Sequence, residues 1–197
     1  MKKVMILDTG CANLASLEHS VKKLGFDVNI SSSIDDLLKS NKLLIPGVGT
    51  PIAAMKRIRL NNLSSFIRNY QGFILGICLG MQLLCSFSEE CKDVEMLNIF
   101  KIRVNRINVK NLPLPHNGWN TICWGKENIL FKNINREEKF YFLHSYAAPV
   151  NKYTICKSNY GINFSAAIQK KNFFGVQFHP EKSGLAGSKL IKNFLEI

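Results

Sequence analysis

The sequence predicts an α/β fold: a mainly parallel central sheet flanked by helices, with antiparallel hairpins in the second half. Two observations carry this. Residues 4–80 alternate short apolar runs with amphipathic stretches in the order βαβα, which suits parallel strands joined by crossover helices. The second half instead offers short β-like pieces separated by turn residues, suited to hairpins that return to the main sheet.

Taken in order, Val4–Leu7 reads as a buried strand followed by a turn at Asp8-Thr9-Gly10. Leu14, Leu17, Val21 and Leu24 fall at helical spacing, Gly25 supplies a stop, and Phe26–Ile30 alternates as a strand should. Ser33–Lys39 reads as a short helix with Ser33 available as its cap, and Lys42–Ile45 as a third strand closed by Pro46-Gly47-Val48-Gly49. Helices are expected around Pro51–Ile58 and Asn62–Tyr70, then a strand over Gly72–Gly76, a sharp turn at Cys78 and a helix from Gly80. Further on, β-like pieces occur at Ile107–Val109, Thr121–Trp124, Phe140–Leu143, Tyr153–Cys156, Phe164–Gln169 and Phe173–Phe178. Leu185, Leu190, Ile191, Phe194 and Leu195 mark one face of a closing helix over Leu185–Ile197.

The 197 residues suit one domain, 1–197, with its own core, and 46% hydrophobic with 20% charged residues is a globular composition. The N-terminus is basic and then apolar, but Asp8 ends the apolar run before a signal-peptide core is reached. No apolar stretch approaches the length of a membrane span, so we expect a cytoplasmic protein with no membrane partner. A formal charge of +12 raises the question of nucleic acid. The Lys and Arg residues are scattered, however, with doublets such as Lys22-Lys23 and Lys170-Lys171 and no recognition signature, so no nucleic-acid partner is expected. The six cysteines (Cys11, Cys78, Cys85, Cys91, Cys123, Cys156) include no CxxC pair and no zinc spacing. They are expected to be reduced, mostly as small buried hydrophobes, with no metal.

Gly76-Ile77-Cys78-Leu79-Gly80 has the form of a nucleophile elbow. Small residues two before and two after the nucleophile let strand and helix approach around a strained turn. The cysteine then sits at a helix N-terminus, where the macrodipole and free N–H groups favour an anion. Alone, such a pattern also fits a structural cysteine at a strand end. A hundred residues on, Phe178-His179-Pro180-Glu181 ends an apolar run with a histidine and, two residues later, a carboxylate. Together they compose a Cys-His-Glu triad of nucleophile, base and orienter. N–H groups of the Gly47–Gly49 loop, at Val48 and Gly49, are placed to join that of Leu79 as an oxyanion hole. His116, in a Pro-flanked loop, and His144, after a strand, are competing bases, but neither has a carboxylate two residues on.

These motifs resemble those of the class I (triad) glutamine amidotransferases. The likeness runs end to end through Leu7–Leu14, Pro46–Thr50, Gly76–Leu84, Pro115–Asn120, Tyr141–Tyr146 and Gly175–Gly184. Within that family, the Gly-Trp-Asn, His-Ser-Tyr and Lys-Ser-Gly contexts are similar to those of HisH-type glutaminase subunits of imidazole glycerol phosphate synthase, an enzyme of histidine biosynthesis. The resemblance implies a flavodoxin-like arrangement, with Cys78 as nucleophile, His179 as general acid/base and Glu181 as its orienter. It further implies glutamine binding by Gln82 and Glu90 with backbone from Gly49, Ser145 and Tyr146, and no cofactor. The implied partner is a (β/α)8-barrel cyclase of the HisF type. That barrel receives ammonia and converts the phosphorylated nucleotide-like substrate PRFAR to imidazole glycerol phosphate and AICAR. Asn13, Trp119 and the Pro115–Asn120 loop are the implied interface anchors, although a core place for Trp119 also fits, and Asn117 stands where the family usually has Met. Two other readings remain open from residues alone: a related protein feeding ammonia to another acceptor such as a surface sugar, and a binding module with a vestigial triad.

Overall fold

The structure, a computed structural model, describes residues 3–10, 13–90 and 94–197. Cys11 and Cys91 lie outside the described residues. The first half comprises β1 (Lys3–Leu7), α1 (Leu14–Lys23), β2 (Asp27–Ser31), α2 (Ile34–Leu37), β3 (Lys42–Gly47), α3 (Pro51–Leu60), α4 (Leu63–Arg68), β4 (Phe73–Cys78) and α5 (Leu79–Leu83). Three short strands follow: β5 (Phe87–Ser88), β6 (Val94–Glu95) and β7 (Arg103–Arg106). Then come β8 (His116–Thr121), β9 (Lys139–His144), β10 (Tyr146–Ala147), β11 (Thr154–Tyr160), β12 (Ile162–Lys170), β13 (Phe173–Val176) and α6 (Gly184–Leu195).

The main sheet has the order β11-β12-β13-β4-β3-β1-β2. The pairs β1–β2, β1–β3, β3–β4 and β4–β13 are parallel, while β11, β12 and β13 form an antiparallel meander. Such a sheet needs apolar cover on both faces, and β1 shows how the sequence supplies it. Val4 and Ile6 join one buried cluster with Leu17 and Val21 of α1 and Leu190 and Phe194 of α6. Met5 and Leu7 point the other way, into a second cluster with Ala54 and Ile58 of α3 and Ile67 of α4. Each fully buried aliphatic or aromatic side chain contributes about 1.5–3 kcal/mol, so the two clusters dominate the fold's stability. Lys42, at the start of β3, is buried as well, with its Nζ 2.9 Å from the carbonyl oxygen of Ile197 and 4.0 Å above the Phe73 ring.

Asn13 caps α1 by accepting from the N–H of Ser16 at 3.4 Å, and Gly25, at φ +83°, ends that turn as expected. Ser33 does not cap α2 through its side chain. Ser31 Oγ binds there instead, accepting from Ser33 N–H at 3.0 Å and donating to Asp36 at 2.9 Å. The segment Pro115–Asn120, expected as a loop, is mostly strand: β8 pairs antiparallel with β9, setting Trp119 opposite Tyr141 and His116 opposite His144. Of the expected strand over Thr121–Trp124, Thr121 closes β8 and Cys123 makes a single bridge, and the one over Ile107–Val109 gives way to β7 just before it. On α6, Leu185 is 81% exposed; the buried face runs through Ala186, Gly187, Leu190, Ile191, Phe194 and Leu195. The small sheet β10-β7-β5-β6 was not expected, because strands of two to four residues carry no usable alternation.

Candidate active site

The elbow forms as its glycines require. β4 runs directly into Cys78, whose φ of 54° and ψ of −112° place a non-glycine residue in strained backbone at the first turn of α5. A Cβ on Gly76 would lie 2.6 Å from the carbonyl oxygen of Gly80, and one on Gly80 would overlap the carbonyl oxygen of Ile45 on β3. Gly47 is similarly close to Leu79, at 2.9 Å from its Cβ. Three glycines therefore let α5 sit against the ends of β3 and β4 with the nucleophile turned up between them.

β13 pairs parallel with β4, so the residues after Val176 emerge beside those after Ile77. This register delivers His179 to Cys78. The backbone of His179 is fixed against β9: its N–H donates to the Tyr141 carbonyl at 2.9 Å. Ser183 Oγ donates to the His179 carbonyl at 2.6 Å while accepting from Tyr141 N–H at 3.0 Å. Nδ1 of His179 lies 2.8 Å from Oε1 of Glu181, and both side chains are almost fully buried. Burial alone disfavours the imidazolium, but the Cys78 sulfur, once it carries charge, and the Glu181 carboxylate outweigh it and raise the ring's pKa to about 10, so His179 holds a proton taken from Cys78. Nε2 is buried without a hydrogen-bond partner.

Cys78 and His179 open on a cavity of about 270 Å³. Val48, Gly49 and Leu79, the expected oxyanion residues, line it together, with Gly49 at φ +85°. Gln82, Glu90, Ser145 and Tyr146 line it too, so all the expected substrate-binding residues converge here from α5, the β5–β6 region and the β9–β10 junction. Burial raises the pKa of Glu90. Gln82 Nε2 donates to the Tyr146 carbonyl and to Gln177 Oε1, both at 3.0 Å, leaving its own oxygen as the remaining acceptor.

The family model described as Glutamine amidotransferase class-I matches residues 5–197. The chain belongs to the class I glutamine amidotransferases. Among relatives of this amidotransferase is the "Imidazole glycerol phosphate synthase subunit HisH" of Buchnera aphidicola subsp. Schizaphis graminum. It is 53% identical over 98% of this chain and 99% of its own length. The protein of the same name from Salmonella typhimurium is 50% identical, again over 98% and 99%. Solved structures share the amidotransferase's fold at lower identity. A putative GMP synthase component from Thermoplasma acidophilum superposes with a TM-score of 0.76 at 19% identity, over 100% of this chain and 93% of that one. The structure of PurLQS from Thermotoga maritima gives 0.70 at 16%, over 99% and 98%.

The competing histidines of the amidotransferase are otherwise engaged. His144 lines the cavity, but its Nδ1 is 3.0 Å from the Tyr146 carbonyl and its Nε2 is 3.2 Å from Nδ1 of His116. Burial lowers the pKa of His116 to about 4 and, with the neighbouring His116, that of His144 to about 3. Neither is poised as a base near neutral pH. Trp119 is 56% exposed, so the core reading for it does not hold. Its ring meets Tyr141 edge-on at 6.1 Å, and Lys182 Nζ lies 5.7 Å from the other ring of that pair, Tyr141. Asn13 shares a small cleft with Lys182, His179 and Glu181, and Trp119 reaches the same region through Tyr141, whose ring centroid is 6.4 Å from that of His179. Asn117 accepts from the Tyr141 hydroxyl at 2.8 Å. Among the other described cysteines, Cys85 and Cys156 are buried and Cys123 is exposed. Sequence reasoning assigned no role to Gln177, fully buried beside Cys78; a lone amide inside the apolar run Phe173–Phe178 was the available signal. No helix among the described residues is long and apolar enough to cross a membrane.

Proposed function

We propose that residues 1–197 act as one catalytic domain, the glutaminase subunit of an imidazole glycerol phosphate synthase, and that Cys78, His179 and Glu181 carry its chemistry. The observation that supports this best is the convergence on one cavity of a strained cysteine, a buried His–Glu pair with a free Nε2, and the glutamine-binding set Gln82, Glu90, Ser145 and Tyr146. His179 Nε2 takes the thiol proton, and the sulfur attacks the side-chain amide carbon of glutamine. The oxygen that gains charge faces the N–H groups of Val48, Gly49 and Leu79. Collapse breaks the C–N bond, and ammonia leaves with the proton from His179. A γ-glutamyl thioester remains. Water, deprotonated by His179, then releases glutamate and restores the thiol.

Ammonia released into bulk water is protonated and lost as a nucleophile, so this chemistry needs an acceptor close by. The relatives' shared name designates a subunit. The fitting partner is a (β/α)8-barrel cyclase of the HisF type, in a cytoplasmic heterodimer, docked on the rim that carries Asn13 and Trp119. An exposed Trp supported by an aromatic neighbour has the character of an interface hot spot. The test is Cys78→Ala in complex with the barrel. Glutamine-dependent synthesis of imidazole glycerol phosphate is abolished while synthesis from ammonium salts persists. Glutamine turnover at the parent rate in that variant would sink the mechanism, and failure to feed PRFAR cyclisation would reassign the acceptor.

A further inference from the structure

The polar side chains behind Cys78 form one chain of hydrogen bonds, and each link fixes the donor and acceptor roles of the next. The Tyr146 carbonyl can only accept, so His144 Nδ1, 3.0 Å away, carries its proton and His144 Nε2 accepts from His116 Nδ1 at 3.2 Å. The same carbonyl accepts from Gln82 Nε2 at 3.0 Å, which orients that amide with nitrogen inward. The second hydrogen on Gln82 Nε2 goes to Gln177 Oε1 at 3.0 Å. With its oxygen so occupied, Gln177 turns its nitrogen to Cys78, and Nε2 lies 3.7 Å from Sγ. Gln177 is fully buried, on the segment that carries His179 and is paired through β13 to the nucleophile's own strand.

We propose that Gln177 is a catalytic residue of the glutaminase, donating an N–H to the Cys78 sulfur whenever that sulfur carries negative charge, with Gln82 and the neutral His144 as the positioning residues that aim it. This rests on the glutaminase reading above. The charge arises twice. It appears first when His179 takes the thiol proton and before the sulfur's pair forms the S–C bond to glutamine. It returns when water adds to the thioester, the C–S bond breaks, and the pair goes back to sulfur while glutamate departs. In the resting thiol the S–H faces the Leu143 carbonyl at 3.8 Å, a group that favours the protonated form. Gln177, with its N–H toward the sulfur, favours the anion, and no water is required to do so. It follows that Gln82 serves two ends: its oxygen faces glutamine, and its nitrogen sets the amide beneath the nucleophile.

The groups facing Cys78 that also titrate are His179, backed by Glu181, and, across the cavity, His144, Glu90 and Tyr146. The experiment therefore varies Gln177 and leaves those untouched. Iodoacetamide alkylation of Cys78 is followed against pH by mass spectrometry of the Cys78 peptide, on the full chain, for the parent, Gln177→Leu and Gln177→Met. The Met variant keeps the length of the side chain, adds no charge and places no N–H at the sulfur. We expect the acid limb of the profile to move to higher pH in both, with the rate at pH 7 reduced about tenfold, the size expected for losing one hydrogen bond to a charged group. The glutaminase kcat should fall in parallel, with little change in KM for glutamine. Should Gln177→Leu not fold, as judged by its far-UV circular dichroism, the Gln177→Met profile alone decides. An unmoved acid limb, or a rise in KM at constant kcat, would overturn the proposal by making Gln177 only a prop for the binding pocket. A parent enzyme that releases no glutamate from glutamine would instead overturn the glutaminase reading on which it rests.

Discussion

Replacing Glu181 by Gln keeps the shape of the triad and removes one charge. Glu181 Oε1 is 2.8 Å from His179 Nδ1, and both side chains are more than nine-tenths buried, so solvent screens this contact little. A hydrogen bond to a charged group contributes about 1.5–3 kcal/mol, which converts to a fall in kcat of roughly ten- to 150-fold. That range applies if the new amide presents its oxygen to Nδ1. Oε2 of Glu181 has no partner in the fold, so nothing holds the amide in either orientation. If its nitrogen faces the ring, Nδ1 must become the acceptor and the proton moves to Nε2, the atom that has to receive one from Cys78; losses then approach about 10⁴-fold. KM for glutamine should stay near its parent value, because Glu181 does not line the substrate cavity. The ring's pKa of about 10 depends in part on this carboxylate, so the alkaline limb of the kcat profile should move to lower pH. The assay is glutamate release across pH, with the partner barrel present. Parent-level kcat with an unmoved alkaline limb would refute the claim that Glu181 orients and charges His179.

Three further outcomes follow from the geometry. Gly80→Ala forces a Cβ into the Ile45 carbonyl, backbone against backbone, so glutaminase activity should be lost with a lowered thermal midpoint, whereas Gly125→Ala, with open space around its Cβ position, should leave both nearly unchanged. Glu90→Gln should raise KM for glutamine with a smaller effect on kcat; because burial raises the pKa of Glu90, its charge is lost early as pH falls, and the parent KM should begin to climb on acidification while pH is still above the usual carboxylate range. His116 and His144 are held neutral with depressed values, so they favour the fold above about pH 6.5, the ordinary histidine value, and that contribution is lost as pH falls toward about 4. His179 has the opposite sign, its contribution being complete below about pH 6.5 and lost as pH rises toward about 10. Thermal midpoints of His116→Phe, which keeps the stack with Tyr160 and Phe142, should therefore fall less steeply from pH 6.5 to 5 than those of the parent. An unchanged acid slope would remove the buried pair from the account.

What the sequence determined by itself was the part written in local pattern. Two-faced apolar runs such as Val4–Leu7 dictate a covered parallel strand, and the spacing of Leu14, Leu17 and Val21 dictates a helix to cover it. Gly76, Cys78 and Gly80 were legible because close backbone approach around a strained turn leaves no choice but glycine at those two places. The site's contents were legible for the same reason that its fold was: each motif sits at the end of a strand, and parallel strands bring their ends to one edge. Leu185 and Trp119 show where local pattern stops. Periodicity assigns Leu185 to a buried face, yet only the position of α6 against the sheet decides which face that is. Trp119 lay in a stretch whose turn residues read as loop, until pairing with β9 made it strand and turned the indole outward beside Tyr141. The neutrality of His116 and His144, and the aim of Gln177 at the sulfur, were decided by tertiary structure alone. Those properties belong to contacts between residues 28 and 99 positions apart, and a side chain's charge state and donor role are set by the partners it meets after the chain has folded.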